Sequence, residues 1–296
     1  MNSRRALGYR LRAAGVLDVE GPDREAFLQG QLTQDLRGLA PGEARSAAGL
    51  SPKGKLLYLA RVVGMADRIR LLVADVSRER VLEHLRKYSA FQKVRVTDAT
   101  EQIARIGIYG ADTTPVSEPP GAMRIAGEGE FARELLVAAD SLEEYRRALE
   151  AAGARRVGPE EAEVLRVEAG RPSFGREADE TTFLDELSME DAVSRTKGCY
   201  VGQEIVARMR TYGRVNRRLV GWRFPDGAIA AGERLKRPEE VEPGKIEQGR
   251  VTSSVVSSRL GPIGLGFAFR EVAAGQRLVS VSDPARGAVV CEPRFS

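Results

Sequence analysis

Lys197-Gly198-Cys199-Tyr200-Val201-Gly202-Gln203-Glu204 is the stretch on which the reading of this chain turns. It holds one of only two cysteines in 296 residues. Gly198 and Gly202 flank the thiol and leave the backbone open around it. Lys197 precedes it by two positions, and Arg195, Arg208 and Arg210 add positive charge nearby. A thiol acts as nucleophile or ligand only as thiolate, a form that nearby cations and a helix N-terminus favour. Residues 202–209 read as the start of a helix, which places Cys199 at its entrance.

Upstream, Gly21-Pro22-Asp23 signals a helix entry, and Leu28, Leu32 and Leu36 fall at steps of four over residues 21–39. Residues 44–75 read as strands with turns at Ser51-Pro52-Lys53-Gly54 and Ala66-Asp67. A helix fits residues 77–88 with Val81, Leu82 and Leu85 inward. Strands follow at 93–98 and 102–109, then a Pro/Gly-rich loop at 112–121 and a hairpin pairing 122–126 with 131–138. Residues 140–152 are expected to be helical, closed by Gly153. Pro159 opens another helix that ends near Gly170. Residues 171–196 form a long polar stretch without periodicity, a length at which loops tend to carry function. Beyond Phe224 the pattern is short strands with glycine turns. No helix follows the glycines of 261–269, so they suit barrel bends better than a dinucleotide loop. The class is therefore α+β followed by an antiparallel β-barrel.

The composition narrows the chemistry. Lys and Arg total 46 against 42 acids, a net charge of +4 and a pI near 9.2. That mild excess suits an anionic ligand. No dense Lys/Arg block with interleaved aromatics appears, so direct nucleic-acid binding is not evident. Cys199 and Cys291 cannot supply the four thiolates of a cluster. His84 is the only histidine, which excludes a multi-histidine metal site within one chain, and it reads as a solvated residue on an amphipathic helix. No metal ligands are assigned. No apolar run is long enough to span a bilayer. Arg4, Arg5, Arg10 and Arg12 give residues 1–14 a faint transit-peptide look, but Asp18 and a strand-like segment follow at once, so a cytoplasmic protein is expected.

The octapeptide, followed by Val206-Ala207-Arg208, resembles the signature of the YgfZ-type folate-binding proteins, relatives of the glycine cleavage T-protein. Two further stretches agree, Phe27-Leu28-Gln29-Gly30-Gln31-Leu32-Thr33-Gln34-Asp35 and Glu168-Ala169-Gly170-Arg171-Pro172. The resemblance implies a three-domain cloverleaf around a central channel, with a ferredoxin-like middle domain. Its divisions would be residues 1–47 with 157–220, 48–156, and a barrel at 221–296. It also implies a reduced folate such as tetrahydrofolate as ligand, iron–sulfur proteins as partners, and a role in cluster assembly or repair and in tRNA modification.

The same resemblance assigns site residues. Glu168 would accept the paired N–H groups of a pterin, a charge-assisted bidentate contact. As an acid in the last turn of its helix it opposes the helix dipole. A plain surface pair with Arg166 or Arg171 is the alternative. Arg171 and Arg208 would hold folate carboxylates, and Asp35 would line the channel or sit solvated at a helix end. Gln203 and Glu204 bind ligand or simply begin a helix. Lys197 favours the thiolate or holds an anionic tail. Cys199 itself is a nucleophile, a transient cluster or sulfur ligand, or a buried small hydrophobe.

There are departures from the family. T-proteins carry paired aspartates after a glycine turn, and the matching turn here, Lys53-Gly54-Lys55, leads into Leu57 and Tyr58. Ala14 and Ala162 stand where some members have folate-contacting tryptophans. Two other readings thus stay open: a T-protein-like aminomethyltransferase or demethylase, and a non-catalytic module that has lost folate.

Overall fold

Leu56–Gly64 alternates buried and half-buried positions along most of its length, as a strand with two unlike faces must. Its neighbours follow the same rule. The computed structural model describes residues 7–110, 121–211, 215–240 and 247–295. Arg4 and Arg5, and all of the loop expected at 112–121 except Gly121, lie outside them. The strands are β1 Gly8–Arg12, β2 Ala14–Glu20, β3 Ala44–Leu50, β4 Leu56–Gly64, β5 Arg68–Ala74, β6 Arg95–Asp98, β7 Ile103–Tyr109, β8 Met123–Ala126, β9 Arg133–Ala138 and β10 Arg155–Arg156. The rest are β11 Arg217–Arg223, β12 Arg234–Lys236, β13 Gly249–Ser257, β14 Gly261–Phe269, β15 Arg277–Ser280 and β16 Gly287–Cys291. The helices are α1 Arg24–Gln31, α2 Arg78–Ser89, α3 Leu142–Ala151, α4 Pro159–Glu168 and α5 Gln203–Thr211.

The chain divides into two compact units, Met1–Gly158 with Glu190–Ile205, and Pro159–Met189 with Val206–Ser296. The first unit holds two five-stranded sheets, ordered β10-β1-β7-β9-β8 and β3-β4-β5-β2-β6. Tyr145 and Leu149 of α3 bury against Tyr9, Ile106, Ile108 and Leu135 on the outer face of the former. Phe27 and Leu28 of α1 and Val81 and Leu85 of α2 bury against Leu17, Tyr58, Val62 and Leu71 of the latter. Val16, Val63 and Leu72 meet Ile125 and Leu136 where the sheets face each other. The buried Arg70 guanidinium pairs with Asp18 in the second sheet, Nε to Oδ1 at 2.7 Å and Nη2 to Oδ2 at 2.8 Å.

Two sequence expectations change here. The helix expected at 21–39 stops at Gln31, and Leu32 is extended. Leu28, Leu32 and Leu36 are nonetheless all fully buried, because the turn that follows α1 folds back onto the same core. His84 is half-buried rather than solvated. Its ring lies 6.1 Å from that of Tyr58 and 4.8 Å from that of Tyr88, and burial pushes its pKa down, with Lys87 adding to the effect.

The second unit is built on a closed six-stranded barrel, ordered β11-β14-β13-β12-β15-β16, with every pairing antiparallel. Trp222, Phe224, Leu235, Val251 and Leu278 fill it. The glycines of β14 answer a packing need: a Cβ on Gly266 would stand 2.7 Å from Trp222 Nε1 and 2.0 Å from the Arg250 carbonyl oxygen. The segment is a strand with no helix after it, as expected from the sequence. α4 lies along this barrel, and its Arg166 donates to Ser253 Oγ at 2.7 Å. Among the described residues no helix is long and apolar enough to cross a membrane.

Candidate functional site

The last carbonyls of a helix have no intrahelical donors and must find others. At the end of α1 the octapeptide supplies them. Lys197 Nζ donates to the carbonyl oxygens of Gln29 at 2.7 Å, Leu32 at 2.6 Å and Gln34 at 2.9 Å. Val201 N donates to Gly30 O at 3.1 Å. An ammonium at a helix C-terminus is also favoured by the helix dipole. Lys197 is only 6% exposed, and its three donors match the three carbonyls. Desolvation lowers its pKa to about 8, opposed by the nearby Asp35 carboxylate.

Tyr200 is buried beside it, its ring centroid 5.2 Å from Lys197 Nζ. Gly202 then turns the chain at φ 82°, with its Cα so placed that a Cβ would lie 2.7 Å from Ser51 O. The loop is thus anchored at Lys197, Tyr200, Val201 and Gly202. Between the anchors Gly198 and Cys199 are exposed. The thiol is not a buried hydrophobe, and it stands four positions ahead of α5. Cys291 differs, being half-buried in β16, where burial pushes its thiol's pKa up.

Asp35 lies in the turn after α1. Arg37 pairs with it, Nη2 to Oδ2 at 2.6 Å, and Gln29 Nε2 donates to Oδ1 at 2.7 Å. The Arg37 contact holds the Asp35 carboxyl well below the usual carboxylate range. Asp35 is therefore a braced acid, not a loose solvated one. Gln203 and Glu204 are the first two residues of α5, the former half-buried and the latter exposed.

In the second unit Glu168 closes α4. It is 6% exposed, and Ser257 Oγ donates to its Oε1 at 2.6 Å while Arg259 Nη2 stands 3.6 Å from Oε2. A surface pair with Arg166 is ruled out: that guanidinium holds Glu163 at 2.7 Å and Glu177 at 2.9 Å. Arg171 is half-buried just past α4, its carbonyl taken by Arg166 Nη1. Arg208 is exposed on α5. Ala14 and Ala162 are both buried.

The expected residues therefore fall into two groups. Cys199, Lys197, Asp35, Gln203 and Glu204 belong to the first unit, and Glu168, Arg171 and Arg208 to the second. Within the first, Lys197 and Asp35 come together around the end of α1. Sequence reasoning missed Gln29 and Thr33. Thr33 is fully buried, donates to Ala192 O at 2.6 Å and accepts from Ala48 N at 2.9 Å. The signal that could have found them was the polar run Gln29-Gly30-Gln31 and Thr33-Gln34-Asp35 through the last turn of α1 and past its end. Ser257 had none, lying 89 positions from the carboxylate it holds. A cavity of about 400 Å³ lined by Met65, Arg70, Met123 and Leu136 in the first unit holds none of the expected site residues.

The fold is that of an aminomethyltransferase of the glycine cleavage system. The solved structure of aminomethyltransferase T from Bartonella henselae superposes with a TM-score of 0.84 over 98% of this chain and 86% of its own, at 19% identity. No family model matches the sequence. A tRNA-modifying protein YgfZ from Edwardsiella ictaluri is 32% identical over 230 residues, 70% of this chain and 67% of the relative. An aminomethyltransferase from Rubrobacter xylanophilus is 28% identical over 95% of the chain and 83% of its own length. A putative chloroplastic transferase from Arabidopsis thaliana is 26% identical over 93% and 68%. The chain belongs to the YgfZ family of the glycine cleavage T-protein superfamily.

Proposed function

We propose that this protein is a cytoplasmic folate-binding factor that supports iron–sulfur proteins, in the assembly or repair of their clusters and through them in tRNA modification, with Cys199 as its working thiol. The observation that carries the reading is the exposed thiol on a loop anchored on both sides. An accessible thiol on a rigid support can meet an incoming sulfur species or cluster without first ordering its own loop. Lys197 is a positioning residue, acting on the thiol by fixing the loop to α1.

The residues fit a reduced folate. Glu168 is a buried carboxylate held by the Ser257 hydroxyl with the Arg259 guanidinium close by, an acceptor of the kind that the adjacent N–H groups of a pterin call for. Arg171 and Arg208, in the same unit as Glu168, carry the charge that folate carboxylates require. When bound, folate would supply a one-carbon carrier. Calorimetric titration with tetrahydrofolate tests this. Loss of one charge-assisted contact costs roughly 1.5–3 kcal/mol, so Glu168→Gln should weaken binding about tenfold or more. Wild-type protein that gives no heat at millimolar folate would leave only the reading of a module that has lost its ligand.

The 28% identity to an aminomethyltransferase favours a second reading, a T-protein-like transferase or demethylase. Against it, neither Leu57 nor Tyr58 is an acid, and Tyr58 is buried in the helix-side core. The carboxylate expected to manage the folate nitrogen's proton is missing there.

A further inference from the structure

Residues 78–95 contain six Lys or Arg and two acids, an excess equal to the net +4 of the whole chain. Along the sequence these cations are diluted by the buried positions Val81, Leu85 and Ser89. The helix gathers them. Arg80, His84 and Tyr88 fall at steps of four on α2, with Lys87 beside them and Phe91 just past its end. Phe91 is 102% exposed and Tyr88 42%. Two open rings three positions apart, with lysines on either side of them in the sequence, have the make-up of an interaction surface: apolar and rimmed by polar residues. Lys87 Nζ lies 5.9 Å from the Tyr88 ring centroid, and the Tyr88 ring packs on His84, so Tyr88 is held in place from beneath. Neither Lys87 nor Lys93 takes part in an ion pair among the described residues, whereas Arg95 is paired with Glu20 and Arg78 with Asp98.

We propose that this end of α2 is a binding surface for single-stranded RNA, with Phe91 and Tyr88 as stacking platforms and Lys87 and Lys93 on the phosphates. Stacking on exposed rings beside a cationic track is the physics of single-strand binding, and it tolerates any base. Charge complementarity selects the occupant: a polyanion answers unpaired lysines, and flat bases answer two open rings. The surface lies wholly within the first unit and does not depend on the folate reading.

The test is fluorescence anisotropy of the full chain with a labelled oligouridine of about twelve nucleotides, over a range of salt. Binding is expected in the micromolar range at low salt. Phe91→Ala should weaken it about fivefold or more through lost stacking. Lys87→Gln should reduce the slope of log affinity against log salt by about 0.7, the value for one phosphate contact on a single strand. Both positions are exposed, so melting temperature and folate binding should not move. Absence of binding at roughly 100 μM protein in low salt would overturn the proposal. So would binding that neither substitution alters. Displacement of the RNA by an acidic peptide at equal charge concentration would assign the surface to a protein partner instead.

Discussion

Lys197 shows how one side chain organises the candidate site. Its ammonium closes three carbonyls around the end of α1 and sets Cys199 two residues further on. Removing it leaves buried acceptors without donors, which costs about 1–3 kcal/mol for each group that water cannot reach. Lys197→Met should therefore destabilise the protein by roughly 2–4 kcal/mol in a denaturant titration. The pH dependence has a definite sign. Burial holds the group at about 8 in the folded chain, below its free value of about 10.4. Between these values the unfolded chain binds more protons, so the contribution of Lys197 to stability rises with pH. The gap between wild type and Lys197→Met should widen from pH 8 to pH 10.4, and a gap that narrows would contradict the assignment.

At the scale of elements, the site is a contact between the end of one helix and a loop nearly 170 residues later, as Lys197 to Gln29 spans 168 positions. Gly202 makes the contact close. Its φ of 82° and the Ser51 carbonyl oxygen 2.7 Å from any added Cβ both exclude a side chain. Gly202→Ala should cost roughly 1–3 kcal/mol, read as a lower melting temperature. An unchanged melting temperature would mean that the loop can pull away from the Ser51 turn. The elements themselves were largely legible in the sequence. The hairpin of β8 and β9, the turns at 51–54 and 66–67, and the helix closed by Gly153 follow from local turn chemistry and periodicity. The end of α1 was not, because Leu32 and Leu36 keep helical spacing while packing from a turn. The contacts of Glu168 with Ser257 and of His84 with Tyr58 come from distant partners that no local pattern encodes.

On the scale of the molecule, fold and chemistry separate. The match to aminomethyltransferase T covers 98% of the chain, yet the family resemblance sets Leu57 and Tyr58 against the paired aspartates of T-proteins. In a reconstituted glycine cleavage assay this protein should not replace the T-protein, and turnover comparable to a true T-protein would show that a different carboxylate serves. The octapeptide was legible as a signature before its structural role was, since the spacing of Lys197, Cys199 and Gly202 gives no hint that Lys197 anchors a helix end and Gly202 packs on the Ser51 turn. Its exposure leaves Cys199 little part in packing, as the proposed role of working thiol requires. The measurement that decides this is complementation of a strain lacking the gene by Cys199→Ser, scored by iron–sulfur enzyme activity. Alkylation of the native wild type should first show Cys199 reacting well ahead of Cys291. The serine variant should keep the wild-type melting temperature and fail to restore activity. Full restoration by that variant would contradict the assignment of Cys199 as the working thiol.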